Sequence, residues 1–299
     1  MKTYKPLAYV ETKDFIFKKL LFISGLISIG LLICLFFTLF SKSLLSIFET
    51  GIPFFYQTTW DPVREIFGAL PFLVGTLITS IVALLISIPF SFALAVFVGE
   101  YLKDSVWASI LNTTLDLLAG IPSIIYGFWG MFVLVPLVRD FEIFIGVVPH
   151  GVGIFSASIV LALMIIPYSA SISREVIALV PHELKEAALS LGATPFEMVM
   201  KIILPYAKSG IFAGVLLSFG RAISETMAVT MLIGNSNKLP TSIFSPSNTL
   251  ASVLANEFAE ASEAMYLSSL IELALILFLV TTLVSYFGRY IIKKWMVHS

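Results

Sequence analysis

Two residues of opposite charge, Arg221 and Glu225, stand four apart in the apolar run GIFAGVLLSFGRAISETMAVTMLIGN that begins at Gly210. On an unbroken helix that spacing places both on one face. A charged group at the centre of a bilayer costs about 2.5 to 3.5 kcal/mol on insertion scales, so such residues pair with each other or line an interior path. The pair therefore has two readings. One is an intrahelical ion pair that only balances charge; the other is a station for a tetrahedral oxyanion crossing the membrane. Guanidinium suits the second, because its planar fork matches oxyanion geometry and never deprotonates. Glu225 would then keep the station weak enough for release, and accept a hydrogen bond from an oxyanion that still carries a proton.

Other polar groups lie nearby in sequence. Ser169, Ser171 and Ser173 are candidate donors to an anion, although a serine in a span more often bonds its own backbone. Asp116 falls near one end of an apolar run. The Gly120–Pro122 break either turns amide groups towards a path, as broken transporter helices do, or is a plain kink. Gly210 and Gly214 make a GxxxG step for close helix approach, and Gly220 continues that small-residue stripe. No G-x-x-x-x-G-K-[ST], H-E-x-x-H or G-x-S-x-G run occurs, which weighs against nucleotide binding at a Walker site and against common membrane hydrolases. A membrane-embedded enzyme would have only Arg221, Glu225 and Asp116 to work with. His150, His182 and His298 are scattered among loops and tail, and Cys34 is the single cysteine, so neither a metal cluster nor an internal disulfide is expected.

The elements that must hold these groups are membrane helices. Only 12% of the 299 residues are charged, against about 25% in soluble domains, and 58% are hydrophobic. Six stretches carry the roughly 20 apolar residues a crossing requires. They run near 20–40, 70–98, 117–138, 154–172, 211–233 and 266–292. The third is the least regular, with a helix that can begin as early as Val106. The first is too long for a signal peptide and is read as a retained span.

Charge sets the direction. Lys2, Lys5, Lys13, Lys18, Lys19, Lys103, Arg174, Lys185, Lys201, Lys208, Arg289, Lys293 and Lys294 gather on one side. Only Lys42, Arg64, Arg139 and Lys238 fall on the other, so both termini are expected in the cytoplasm. Trp60, Tyr56, Trp295 and Tyr290 sit near span ends, where an aromatic belt is expected.

Between the fourth and fifth spans lies a polar, helix-patterned segment. Pro181 suits a first helical turn, HELKEAALS (182–190) is built of good helix formers, and Gly192 supplies a stop. Leu184, Ala188 and Leu191 share one face at helical spacing, leaving Glu183, Lys185 and Glu186 for solvent or a partner. A second amphipathic stretch, 195–203, leads to Leu204 and Pro205. Periodicity alone fits either a knob offered to another protein or a helix lying on lipid headgroups.

The residues themselves resemble a known loop. Glu186-Ala187-Ala188, then Gly192, then Ile202 and Leu204-Pro205, is similar to the EAA loop of ABC importer permeases. The resemblance implies that Glu186, Ala187, Ala188 and Gly192 contact an ATPase subunit. From Trp60 to the sixth span the chain further resembles the phosphate permease family of the PstC type. The matching blocks are Trp60-Asp61-Pro62, FGALPFLVGTLITS (67–80), AGIPSIIYGFWG (119–130), LALMIIPYSASISREV (161–176) and FGRAISETMAVTMLIGN (219–235). In that family the Arg and Glu of the last block are regarded as functional.

The resemblance implies an all-α membrane protein of the type I ABC importer permease architecture, six transmembrane helices with a cytoplasmic coupling helix. Residues 1–69 are expected to form an N-terminal segment, first helix and outer loop. Residues 70–295 form the permease core, with the coupling loop at 181–205, and 296–299 a cytoplasmic tail. The chain is expected to bind no cofactor, with ATP used by a separate ATPase. Implied partners are a PstA-like second permease, a PstB-like ATPase dimer, a PstS-like phosphate-binding protein outside, and the lipid of a bacterial inner membrane. Rival readings are a permease for sulfate or molybdate, and an anion secondary transporter or channel, which leaves the EAA-like loop without a task.

Overall fold

The structure is a computed structural model that describes the backbone of residues 7–102 and 105–296, with side chains from Asp14 to Lys294. Expectations on the side chains of Lys2, Lys5, Lys13, Lys103, Trp295 and His298, and on most of the 296–299 tail, lie outside the described residues. In chain order the helices are α1 (Leu7–Thr50), α2 (Pro53–Tyr56), α3 (Leu70–Val96), α4 (Val106–Gly120), α5 (Ser123–Trp129) and α6 (Val135–Phe144). Then come α7 (Ile154–Ala178), α8 (His182–Ser190), α9 (Pro195–Met198), α10 (Leu204–Ser224), α11 (Met227–Leu232), α12 (Leu250–Glu257) and α13 (Ala264–Met296). Among the described residues, six helical runs are long and apolar enough to cross a membrane.

The irregularities have local causes. A π turn at 130–134 precedes Pro136, and another at 199–203 precedes Pro205. Proline brings no N–H, so the hydrogen-bond ladder in front of it slips by one residue. The third expected span, 117–138, straddles a real interruption: α4 stops at Gly120, Ile121 and Pro122 are extended, and α5 starts at Ser123. The fifth, 211–233, is also interrupted. Here α10 ends at Ser224, whose hydroxyl donates to the Gly220 and Arg221 carbonyls at 3.0 and 3.3 Å. A serine hydroxyl bonded to its own turn competes with the backbone N–H groups that would extend the helix.

Helix α7 is the hub, the most enclosed of the six. Its buried side chains Ala157, Val160, Leu161 and Ile165 pack with Ala83 of α3, Ala222 of α10, and Ala228, Val229 and Leu232 of α11. Small residues permit the close crossings. A Cβ at Gly210 would run into Val176, and one at Gly214 would meet Ile172 at 3.2 Å, so the GxxxG step is seated against α7 as its sequence implies. Gly220 departs from that stripe, with nothing within 4 Å of its Cβ position. Helix α1 is exposed along most of its length and rests on α13 through Phe36–Phe278 and Ser46–Ser269 contacts.

At the end of the bundle away from α8, residues 54–73 fold over α12 and α13. Trp60, read as a membrane-belt residue, is instead 7% exposed. Its ring stacks edge-on against Phe67 and Phe72, and its indole N–H donates to Glu257 at 2.7 Å. The same carboxylate accepts from Asn237 and Tyr266, both at 2.8 Å. A buried Trp keeps its N–H paired, and Glu257 is the partner that draws it inward. Tyr56 and Tyr290 are exposed, as belt residues would be. The cap is closely fitted: a Cβ on Gly75 would collide with the Asn248 carbonyl oxygen and lie 2.8 Å from the Ser247 hydroxyl. Gly75→Ala is therefore expected to cost about 2 kcal/mol or more through overpacking against backbone, read as a lower melting temperature in detergent.

Candidate functional site: a guanidinium beside two helix breaks, and an exposed loop helix

Arg221 occupies the last turn of α10, half-buried. Its partner is not Glu225. The residue after Ser224 is extended (φ −69°, ψ 128°), so the one-face argument for the pair fails at the helix end, and no Arg221–Glu225 ion pair forms among the described residues. Instead the guanidinium lies over the ring of Tyr168, 4.3 Å from its centroid, and the buried Nε has no hydrogen-bond partner. Tyr168 follows Pro167 near the middle of α7. Its hydroxyl donates to the Ala119 carbonyl at 3.3 Å, while that of Tyr126 on α5 donates to the Leu118 carbonyl at 2.9 Å.

Those bonds satisfy carbonyls at the end of α4. The two interruptions, after Gly120 and after Ser224, thus meet at one level through Tyr168. Beyond them α5 and α11 pack together tightly, since a Cβ on Gly127 would lie 2.6 Å from Met231 Sδ and 3.3 Å from Ala228 Cα.

The remaining sequence candidates divide. Ser169 and Ser173 are buried and Ser171 is half-buried on α7, with Ser169 next to Tyr168. Asp116 is exposed on α4 and forms no ion pair among the described residues. Sequence reasoning missed Tyr168, whose only local mark is a tyrosine after proline inside an apolar span. It also missed Glu272, 3% exposed on α13 with its carboxyl towards Ser46 of α1 and Oε2 unpartnered. The cost argument applied to Arg221 applies equally to a carboxyl inside LIELALILF.

The 181–205 loop takes the helical form that its sequence implies. Helix α8 spans His182–Ser190 and closes with a Schellman turn: Ala193 N–H donates to Ala188 O at 3.1 Å, and Gly192 N–H to Leu189 O at 2.9 Å. Gly192 has φ +86° and open space around its Cβ position, so its backbone rather than its neighbours demands glycine. Thr194 and Glu197 form a capping box for α9. Glu186 bonds His182 at 3.1 Å on the surface, and Ala187 is exposed while Ala188 is half-buried.

One face assignment needs correcting. Lys185, expected to be free for solvent or a partner, is 6% exposed and paired with Glu100 of the π turn that ends α3. Leu184 and Leu191 point outward instead, at 43% and 90% exposure. A partner 85 residues away turned the helix so that Lys185 is inside and its leucines outside, with Glu183 and Glu186 left exposed. Lys185→Ala, which strands the Glu100 carboxylate, is expected to destabilise the loop by roughly 3 kcal/mol, seen as faster amide exchange across 182–190. Lys185→Met with Glu100→Leu should recover most of that protection, because an apolar pair of similar volume leaves no charge unpaired.

Comparison with known proteins decides the lineage. Residues 87–297 match the family described as "Binding-protein-dependent transport system inner membrane component". The Phosphate transport system permease protein PstC of Haemophilus influenzae is 43% identical over 294 residues, spanning 93% of each chain. That of Pasteurella multocida is 45% identical, covering 82% of this chain and 80% of its own. The chain belongs to the PstC permease family.

The Probable phosphate transport system permease protein PstC of Methanocaldococcus jannaschii is 36% identical over 277 residues, spanning 87% of each chain. Solved structures agree on the fold. A bacterial alginate ABC transporter matches with a TM-score of 0.65 at 16% identity, over 97% of this chain and 98% of that one. The MetNI methionine transporter matches at 0.55 and 17%, over 79% and 99%. This PstC-family permease is accordingly a multi-pass membrane protein, one component of a multi-subunit ABC transporter, and a transport subunit rather than an enzyme.

Proposed function

We propose that the chain is the phosphate-translocating permease of an ATP-driven importer, with Arg221 as a transient station for the anion. The observation that carries this reading is a guanidinium inside an apolar bundle with, among the described residues, no carboxylate paired to it and a buried N–H left open. A cation placed there for structure alone would be neutralised, whereas one awaiting an anion is held by weaker contacts. Relatives named for phosphate transport supply the choice of anion. Glu225, just past the helix end, tempers the station and accepts a hydrogen bond from protonated phosphate.

Helix α8 docks in a groove of a PstB-like ATPase through Glu186, Ala187, Ala188 and Gly192, with Leu184 and Leu191 supplying apolar contact area. The α8 end and both termini face the cytoplasm of a bacterial cell, supported by the lysine and arginine distribution. A PstA-like permease completes the path and a PstS-like protein delivers phosphate from outside. The chain itself requires no cofactor; ATP belongs to its partner.

The test is uptake of labelled phosphate at low external concentration, in cells with and without the gene, against excess sulfate. Gene-dependent, sulfate-insensitive uptake is expected. Its absence, with the partner subunits confirmed present, would overturn phosphate as the cargo.

A further inference from the structure

We infer that Tyr168 is a positioning residue for transport: its ring parks the Arg221 guanidinium while the path holds no anion, and its hydroxyl ties that parking place to the helix break at Ala119. The inference rests on reading Arg221 as the anion station. Three observations converge on it. The guanidinium carbon lies 4.3 Å from the ring centroid, within the range of a cation–π contact. Arg221 Nε is buried and unpartnered, so the ring holds the cation without saturating its donors. The hydroxyl of the same tyrosine bonds the Ala119 carbonyl at 3.3 Å, so the ring is anchored to the last turn of α4.

A neutral ring suits a station that must stay available. A carboxylate in its place would form a full ion pair that an incoming anion would have to break, whereas a quadrupole yields to any true negative charge. Because the ring is bonded to the α4 end, any movement that separates α4 from α7 also moves the parking place, which links the cation's availability to the opening of the path.

The test varies the ring face alone. In the assembled transporter, reconstituted with its ATPase, second permease and binding protein, initial rates of labelled phosphate uptake are compared at saturating ATP. Tyr168→Phe keeps the face but cuts the tie to Ala119, so its uptake should fall only modestly, by about threefold, and it serves as the baseline for the ring series. A difluorophenylalanine and then pentafluorophenylalanine at position 168 drain the face of negative charge at nearly constant shape. Uptake should fall stepwise with fluorine content, by about tenfold at the end of the series, and Tyr168→Leu should fall as far.

Equal rates for phenylalanine and pentafluorophenylalanine would overturn the inference, as would a loss already complete in Tyr168→Phe. Arg221→Gln serves as the control. If it transports normally, the anion station itself is refuted. If it is inactive while fluorination has no effect, only the role of Tyr168 falls.

Discussion

Arg221→Gln is expected to lower ATP-driven phosphate uptake by roughly a hundredfold, the loss typical of removing one member of a desolvated, hydrogen-bonded charge contact. The amide keeps some length and polarity but neither the charge nor the fork. Folding should survive, because the guanidinium forms no ion pair whose loss would strand a carboxylate among the described residues. Membrane abundance and ATPase co-purification should therefore match the parent. Arg221→Lys separates charge from geometry: a point charge without the planar fork should restore part of the rate, leaving about a tenfold deficit. Normal uptake by Arg221→Gln in a normally assembled complex would remove the guanidinium from the transport path.

Ala187→Arg should abolish uptake for a different reason. Ala187 is exposed on α8, between outward-facing Leu184 and Leu191, so a bulky charge there can extend into solvent. Substitutions at such surface positions usually change stability by less than about 0.5 kcal/mol. The same charge forced into a protein groove without a partner must be desolvated, which is far more costly. The variant should insert normally yet lose the ATPase on co-purification, taking uptake with it. An ATPase that remained bound at parental levels would show that α8 is not the docking element.

The contrast between these sites explains what the sequence discloses. The six spans are legible because a crossing needs a long apolar run, whatever packs against it. Helix α8 is legible because its signals are local, with Pro181 opening it and Gly192 at φ +86° closing it. What escapes is set at long range. The rotation of α8 depends on Glu100 accepting Lys185, and the burial of Trp60 depends on Glu257, 197 residues on. The end of α10 at Ser224 carries neither Gly nor Pro, so hydrophobic periodicity runs straight through it and wrongly seats Glu225 beside Arg221. Glu272 is open to the same cost argument as Arg221, but its segment reads so uniformly as a span that nothing local singles the carboxyl out.

The Lys185–Glu100 pair also has a mechanical meaning. The chain joins α8 to α7 on one side and, through α9, to α10 on the other, while the ion pair pins it to the end of α3. A strut fixed at three points has little play, so a displacement imposed on α8 is delivered to α3, α7 and α10 together. Helix α1, resting on α13, lies outside that load path. Stiffness of this kind bears on stoichiometry under the proposed docking of an ATPase on α8: with a slack strut the motor could turn over nucleotide while the path stayed still, whereas a taut one would make each cycle of the motor a stroke of the path.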